Sequence, residues 1–217
     1  MEDINIMLTL KFGSKENIKD LFENGTIYCK PIEYFRKLED EMLRGDSFEG
    51  TTKLKNFTTG KLTLTFPDGK ELKLNTSKFQ IKEHLTEVKG NLYCLTILRK
   101  EDFKNVVSFK FEERNKRFGS HFLLIRDNKS FYDRLFKGFE KQKLSTKKNL
   151  VTYYDKEKKD GDVSPFEKPL EFEYQKEFRI IIQNDEEQDI KFQIGSLEDI
   201  SQVMEMSSLS TLECILD

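Results

Sequence analysis

The stretch INIMLTLKFGSKENIKDLFENGTIYCKP, residues 4–31, decides the fold predicted for this chain. Its opening part alternates loosely between apolar and polar residues, which is typical of a strand. Ile18 and Leu21 then share one face of a predicted helix that Ser14 caps and Gly25 ends. The closing part is β-branched and aromatic. The stretch therefore predicts a strand, a helix and a second strand.

Hydrophobic periodicity continues along the rest of the chain. The segment KLTLTFPDGKELKLN has two alternating halves around a Pro-Asp-Gly turn, which predicts a β-hairpin near residues 61–75. Residues 32–43 and 130–143 have the apolar spacing of amphipathic helices. Further strands are predicted over residues 91–99, 120–126 and 190–194.

The expected architecture is a single α+β domain over residues 1–217, with a mixed or mainly antiparallel twisted sheet and three to four helices. Residues 159–169 hold Gly/Asp turns and two prolines, so they predict a long mobile loop. Residues 170–182 predict one strand with a bulge near Gln175, where the apolar alternation shifts phase. Ser196 opens a predicted short helix.

The overall composition excludes several classes of protein. The 217 residues carry 37 Lys and Arg against 39 Asp and Glu, a net charge of −2, so non-specific nucleic-acid binding is not expected. The 19 Phe and 7 Tyr favour a folded chain. The N-terminus is acidic, and no apolar run reaches the roughly 18 residues of a membrane span. These features predict a cytoplasmic protein with no membrane partner.

The cysteines and histidines predict no metal site. Cys29, Cys94 and Cys214 lie far apart in apolar or strand-like contexts, which favours buried free thiols over disulfides or zinc ligation. Because the chain has only two histidines, the main ligands of any metal ion would be carboxylate oxygens.

The densest polar segment leads into a glycine-bounded loop that contains Arg44, Asp46 and Glu49. In one interpretation Asp46 and Glu49 are acid/base groups or metal ligands, and Arg44 holds an anionic group such as a phosphate. In the other, the charges form an ion-pair network that fixes the loop, and Asp46 is a turn former. Both interpretations stay open at the level of sequence.

Glu177 and Arg179 lie two residues apart in a late strand, so they share a face while Phe178 and Ile180 point to the core. An unpaired ion in an apolar strand costs several kcal/mol, so these charges predict a partner or a ligand. They can pair with each other, with Arg44 or with the acids of residues 39–49, and we expect this constellation to form the site. The alternative is a structural Glu–Arg network that links the strand to that segment.

His121 begins an apolar strand, two residues after Gly119. At such a strand end it is a candidate acid/base group or a hydrogen-bond donor to a ligand; the alternative is a histidine bonded to a local carbonyl. The chain has no glycine-rich phosphate loop and no Cys/His metal spacing, so the sequence names no cofactor.

Three motifs stand in a recognisable order: RGDSFEG at residues 44–50, FGSHFLLI at residues 118–125 and EFRIII at residues 177–182. In this order they resemble bacterial proteins distantly related to the family called domain of unknown function 2971. The resemblance implies an accessory or effector protein of bacterial mobile elements and phage conflict, in an antiviral-defence context.

The opening strand–helix–strand and the late glutamate also resemble the layout of small ADP-ribosyltransferase-type toxins, which hold NAD in a cleft between two sheets. That resemblance implies a ligand-binding role for Tyr28 and a catalytic role for Glu177. The basic residue of the first strand has no equivalent in this chain, where Lys11 is the nearest candidate.

The favoured function is an intracellular bacterial effector whose polar cleft binds a nucleotide-like phosphorylated ligand. The expected catalytic residues are Glu177 and His121, and the expected ligand-binding residues are Tyr28, Arg44, Asp46, Glu49 and Arg179. The alternatives are an NAD-using ADP-ribosyltransferase-like enzyme and a non-enzymatic inhibitor or sensor that binds a protein. The positions of three tyrosines distinguish a ligand site from a protein interface; they are Tyr34, Tyr153 and Tyr154. If they cluster on a flat surface, a protein interface is favoured, and if they line a pocket, a ligand is favoured.

Overall fold

Strands from both ends of the chain share one sheet in the computed structural model, which describes residues 5–37, 48, 51–57, 60–76, 78–83, 89–103, 108–186 and 188–215. Within these residues the α-helices are α1 (Lys15–Asn24), α2 (Ile32–Lys37) and α3 (Asn128–Lys141). The strands are β1 (Ile6–Gly13), β2 (Thr26–Pro31), β3 (Lys53–Phe57), β4 (Gly60–Thr65), β5 (Glu71–Thr76), β6 (Phe79–Glu83), β7 (Asn91–Arg99), β8 (Ser108–Lys110), β9 (His121–Ile125), β10 (Thr146–Leu150), β11 (Thr152–Tyr154), β12 (Gly161–Asp162), β13 (Glu167–Pro169), β14 (Glu177–Ile182), β15 (Ile190–Gln193), β16 (Ser201–Glu205) and β17 (Glu213–Ile215). Short 3-10 helices cover Lys100–Phe103, Glu113–Phe118, Leu170–Gln175 and Met206–Thr211.

The main sheet has eight strands and the order β10-β14-β7-β1-β9-β16, with β2 paired to both β7 and β15. Every pairing in this sheet is antiparallel. The predicted α+β class with a mainly antiparallel sheet is therefore confirmed. β7 lies between β14 and β1 and is buried along most of its length, which fits its run of apolar residues.

The predicted strand–helix–strand opening is confirmed. The Ser14 side chain accepts a hydrogen bond from the main-chain N–H of Asn17 and so caps α1. Gly25 ends α1 in the left-handed conformation, with its N–H donating to the Leu21 carbonyl at 2.9 Å. Leu21 and Ile18 are buried, so α1 packs its apolar face toward the sheet.

The predicted late helix is also confirmed, as α3. Asp127 caps it by accepting from the Ser130 N–H, and its apolar face carries Phe131, Leu135 and Phe139. These side chains are buried in the largest apolar cluster, together with the inward residues of β14. Complete burial of each such side chain contributes about 1.5–3 kcal/mol, so α3 holds one face of the sheet.

The hairpin predicted near residues 61–75 is present as β4 and β5. The Phe66 N–H donates to the Lys70 carbonyl at 2.8 Å across its turn, and Gly69 adopts a φ of 82°. A positive φ is the conformation for which glycine is favoured in such a turn.

The strand predicted from Leu170 begins only at Glu177. The first part of the predicted strand forms the 3-10 helix Leu170–Gln175 instead. Lys176 then ends this helix in the left-handed conformation, with a φ of 44°. Phe172 and Tyr174 suggested a strand because they alternate with charged residues, but they are buried against neighbouring aromatic rings outside the sheet. Alternation over so few residues does not separate a strand from a short 3-10 helix.

Two smaller predictions are wrong for the same kind of reason, which is tertiary pairing. The segment that follows Ser196 forms a turn, and β16 then pairs with β9 where a helix was expected. The loop expected over residues 159–169 contains β12 and β13, and the Val163 N–H donates to the Thr52 carbonyl at 2.8 Å. Main-chain hydrogen bonds to distant strands outweigh the local turn preference.

We expect Gly25→Ala to destabilise the fold much more than Gly69→Ala. A Cβ atom on Gly25 would lie 1.9 Å from the Gly195 carbonyl oxygen, whereas one on Gly69 would meet nothing within 4 Å. Both glycines have positive φ, so both substitutions carry about 1–2 kcal/mol of backbone strain, and only Gly25→Ala adds a backbone clash. Urea unfolding of both variants measures the difference, and equal losses would contradict this packing.

Candidate functional site

The candidate site is a cleft at the place where the main sheet splits. β7 pairs with β1 through Thr96–Arg99 and with β2 through Asn91 and Leu92. Residues 93–95 of β7 lie between these two pairings, because β1 and β2 diverge to enter and leave α1. The cleft that opens there has a volume of about 780 Å³. This is within the size range of small-molecule sites.

The floor of the cleft contains an ionic cluster made by Lys168, Glu177 and Arg179. Glu177 Oε1 accepts from Arg179 Nε at 2.9 Å, and Glu177 Oε2 lies 2.7 Å from Lys168 Nζ. Lys168 Nζ also donates to Gln175 Oε1 at 2.9 Å, and Arg179 donates to the carbonyl of Pro165. All three charged side chains are buried.

The period-two pattern of β14 explains how two of these charges reach the cleft. Phe178 and Ile180 are fully buried in the core, as predicted, and Glu177 and Arg179 point to the opposite face. Lys168 comes from β13, which the chain brings back just before the 3-10 helix that precedes β14. Pairing among these three buried ions offsets much of the cost of removing them from water.

The cluster fixes the charge state of Glu177. Burial by itself would raise the pKa of this carboxyl, but the charges of Arg179 and Lys168, together with the hydrogen bond from Arg179, hold it well below its usual range. Glu177 is therefore a carboxylate at neutral pH, with both oxygens engaged by cations.

Lys11 lies at the split itself, one residue beyond the last β1 residue that pairs with β7. Its Nζ donates to the Cys94 carbonyl at 2.8 Å and lies 4.5 Å from the centre of the Tyr93 ring. Burial lowers the pKa of this ammonium group, opposed in part by the negative potential of Glu177. Among the described residues, no carboxylate oxygen lies within 4.0 Å of Lys11 Nζ.

The rim of the cleft combines aromatic rings with lysines. Lys30 Nζ lies 5.0 Å from the centre of the Tyr28 ring and 4.8 Å from that of Tyr34. Asp189 accepts hydrogen bonds from Lys30 Nζ, at 2.8 Å, and from the Tyr28 hydroxyl, and its bond to Lys30 raises the pKa of that ammonium group. Tyr28 is exposed and Lys30 half-buried, so both present polar atoms at the cleft mouth.

Aromatic residues also line the side of the cleft nearest β9. Phe12 and Phe118 stack with ring centres 6.0 Å apart, and Phe118 stacks in turn on Tyr174 at 6.3 Å. Phe12 and Phe118 both line the cleft. The site therefore offers apolar ring surface on two sides of its polar floor.

The lining of the cleft carries more positive than negative charge. Five cationic side chains line it against two carboxylates, an excess of three; the cations are Lys11, Lys30, Lys168, Arg179 and Lys191, and the carboxylates are Asp20 and Glu177. The chain as a whole has a net charge of −2, so this local excess is opposite in sign to the protein. Such a cleft attracts anions.

Some of the site residues predicted from the sequence line the cleft and others do not. Tyr28, Glu177 and Arg179 line the same cleft. His121 does not belong to the lining of the described cleft. Its Nδ1 is 2.9 Å from the Oγ of Ser120, and Ser120 is the residue of this pair that lines the cleft. The predictions for Arg44, Asp46 and Glu49 lie outside the described residues.

The cations of the cleft other than Arg179 were not among the predicted site residues; they are Lys11, Lys30, Lys168 and Lys191. Lys168 fell in a segment predicted to be a mobile loop, and no local pattern indicates that it is buried beside Glu177. Lys11 was named only through the resemblance to ADP-ribosyltransferases. Its signal was present, because it is a lysine within an otherwise apolar strand.

Metal and thiol chemistry find little support in the described part of the chain. No group of three or more His, Cys, Asp or Glu side chains there is arranged to hold a metal ion. All three cysteines are free, as predicted, but of the three only Cys29 is buried, and Cys94 and Cys214 are partly exposed. Cys94 lines the cleft, but burial raises the pKa of its thiol, so its thiolate is disfavoured.

The fold and the site together define an α+β protein with a cation-lined cleft at a split in an antiparallel sheet. Comparisons with protein-family models, with curated proteins and with solved structures find no match to this chain. The resemblances to the domain of unknown function 2971 and to ADP-ribosyltransferases therefore stay predictions. No helix of the described residues has the length and apolar character needed to cross a membrane.

We expect Glu177→Gln to lower the free energy of unfolding by about 3–5 kcal/mol, because it leaves two buried cations without their carboxylate. Urea unfolding measures the loss. Glu171→Gln is the control, since it removes an exposed pair with Lys156 and should change stability by at most about 0.5 kcal/mol. Similar losses for the two variants would contradict the assigned cluster.

The same comparison has a defined pH dependence. The folded-state pKa of Glu177 is below the unfolded value of about 4.3, so the carboxylate stabilises the fold fully above that value. This stabilisation is lost as the pH falls through the folded-state pKa. The stability difference between wild type and Glu177→Gln should stay constant from about pH 6 to 8 and shrink below about pH 4. A difference that grows as the pH falls would contradict an ionised Glu177.

Proposed function

We propose that the cleft binds a small, phosphorylated, nucleotide-like ligand. The observation that carries this proposal is the combination of an excess of three positive charges with aromatic rings on two sides of one cleft. Phosphates are bound in proteins mainly by Lys, Arg and main-chain N–H groups, and bases stack on aromatic faces. The cleft volume of about 780 Å³ is sufficient for a ligand of this size.

Within this function we assign the Lys168–Glu177–Arg179 cluster to the construction of the floor. Among the described residues, its two ion pairs are 2.7 and 2.9 Å long, and its cations also donate to the Gln175 side chain and the Pro165 carbonyl. A carboxylate held by two cations is a weak proton acceptor, so Glu177 is better suited to positioning Arg179 and Lys168 than to acid/base chemistry.

The tyrosines named in the sequence analysis favour a ligand over a protein interface. Tyr34 lines the cleft, whereas Tyr153 does not belong to the lining of the described cleft and its hydroxyl accepts from the Glu177 N–H at 3.0 Å. Tyr154 packs in a separate apolar cluster. They therefore do not form one flat exposed patch. The bacterial effector role and the cytoplasmic location stay predictions.

Isothermal titration with NAD, ADP-ribose, ATP and a cyclic dinucleotide tests the proposed function. We expect at least one of them to bind saturably at millimolar concentration or below. Lys30→Gln, which removes a cation from the rim, should weaken that binding about three- to tenfold, or roughly 1 kcal/mol. Lys129→Gln is the matched control, because Lys129 is exposed on α3 and does not line the cleft.

Two results would contradict the proposed function. One is the absence of saturable binding for all four nucleotides at millimolar concentration. The other is an equal effect of Lys30→Gln and Lys129→Gln, since binding that ignores the position of the charge would not occur in this cleft.

NAD-using ADP-ribosyl transfer is the second candidate, favoured by the presence of Tyr28 and Glu177 in one cleft. It requires release of nicotinamide from NAD by the wild-type protein. Glu177→Gln should abolish that release in a sample whose circular dichroism spectrum still indicates a folded chain. If NAD binds but no nicotinamide is released, the proposed binding function stands and the enzymatic function is contradicted.

A further inference from the structure

The split in the sheet exposes one main-chain unit of β7 toward the cleft. The Ile97 N–H donates to the Lys176 carbonyl on the β14 side at 2.9 Å. Successive residues of a strand point their main-chain groups to alternate sides, so Cys94 points toward β1 and β2. Its carbonyl accepts from Lys11 Nζ, which confirms that direction. Because the N–H and C=O of one residue in an antiparallel strand point the same way, the Cys94 N–H also points into the split.

Lys11 differs from the other cations of the cleft in its electrostatic surroundings. Each of the other four has a carboxylate oxygen within 3.6 Å; the pairs are Lys30–Asp189, Lys168–Glu177, Arg179–Glu177 and Lys191–Asp20. Among the described residues, Lys11 has a carbonyl dipole and an aromatic ring in place of a counter-ion. Desolvation of an ammonium group without a full counter-charge is unfavourable, and an anion in the cleft would supply that charge.

The first turn of α1 adds a weaker attraction at the same place. Gly13 and Ser14, which precede this ten-residue helix, and Asn17, in its first turn, line the cleft and follow shortly after Lys11 in the chain. The positive end of a helix dipole attracts a nearby negative charge. It supports the electrostatic argument from Lys11 and does not replace it.

We infer that an oxyanion group of the ligand binds in the split between β1 and β2, with Lys11 Nζ and the Cys94 main-chain N–H as its hydrogen-bond donors. This inference rests on the proposed function, because it assigns the charged end of the same ligand. The phosphorylated end is then innermost in the cleft, and the base or other ring lies outward toward Tyr28 and Tyr34. Inorganic phosphate reproduces the charged end and is the probe for this site.

The first test is a titration of the isotope-labelled wild-type chain with phosphate, followed by NMR. We expect the Cys94 amide and the Lys11 side-chain Cε and Nζ signals to shift saturably with one common dissociation constant. Chloride at matched ionic strength should not produce these shifts, and acetate in a parallel titration distinguishes a carboxylate site from a phosphate site. No saturable shift at Cys94 and Lys11, or the same shift with chloride, would overturn the inference.

The second test compares Lys11→Met with Lys15→Met. Lys15 is exposed at the start of α1 and does not line the cleft. Lys11→Met should weaken phosphate, and any bound nucleotide, at least tenfold, and Lys15→Met should change neither more than about twofold, equivalent to 0.4 kcal/mol. Equal effects would overturn the assignment. If Lys11→Met does not fold, the wild-type titration decides.

The outcomes separate this inference from the proposed function. If nucleotides bind, and Lys30→Gln weakens that binding, but no NMR shift occurs at Cys94 or Lys11, the proposed function stands. The split is then not the oxyanion site. Phosphate that binds at the split in a protein that binds no nucleotide would support the split as an oxyanion site and contradict the proposed ligand class.

Discussion

Glu177 holds together the part of the molecule on which the candidate site depends. Its carboxylate pairs with Arg179 on its own strand and with Lys168 from β13, at distances of 2.9 and 2.7 Å. These pairs tie a short peripheral strand to the central sheet and place one carboxylate between two buried cations. Removing the carboxylate would leave two buried cations without this counter-charge, which is costly even though main-chain hydrogen bonds such as that from the Ile97 N–H to the Lys176 carbonyl would remain.

The second constraint is the divergence of β1 and β2 around α1. A helix between two strands that both pair with β7 forces them apart, and the middle of β7 then faces a cleft where a neighbouring strand would otherwise lie. Lys11 donates a hydrogen bond to the Cys94 carbonyl in this middle segment of β7. The chemistry of the site follows from this geometry, because the sheet supplies main-chain groups, the strands supply lysines, and the rim supplies aromatic rings.

Local patterns were sufficient for elements whose side chains pack on their own periodicity. Ser14, Gly25 and the apolar face of α3 made those helices predictable, and the Pro-Asp-Gly turn did the same for the hairpin. The charged pair on β14 was predictable because an apolar strand has little other use for ions. The burial of Lys168 was not predictable from local patterns. It depends on the contact of Lys168 with Glu177 on β14, and the 3-10 helix that brings the two residues together has no clear sequence signal.

The roles proposed for these residues all depend on ligand binding in the cleft at the sheet split. A two-dimensional amide NMR map recorded with and without ADP-ribose locates such binding without any substitution. We expect the perturbed amides to cluster in the end of β1, the first turn of α1, β2 and residues 93–96 of β7. A cluster of perturbed amides elsewhere in the chain, with these four segments unchanged, would contradict binding in this cleft.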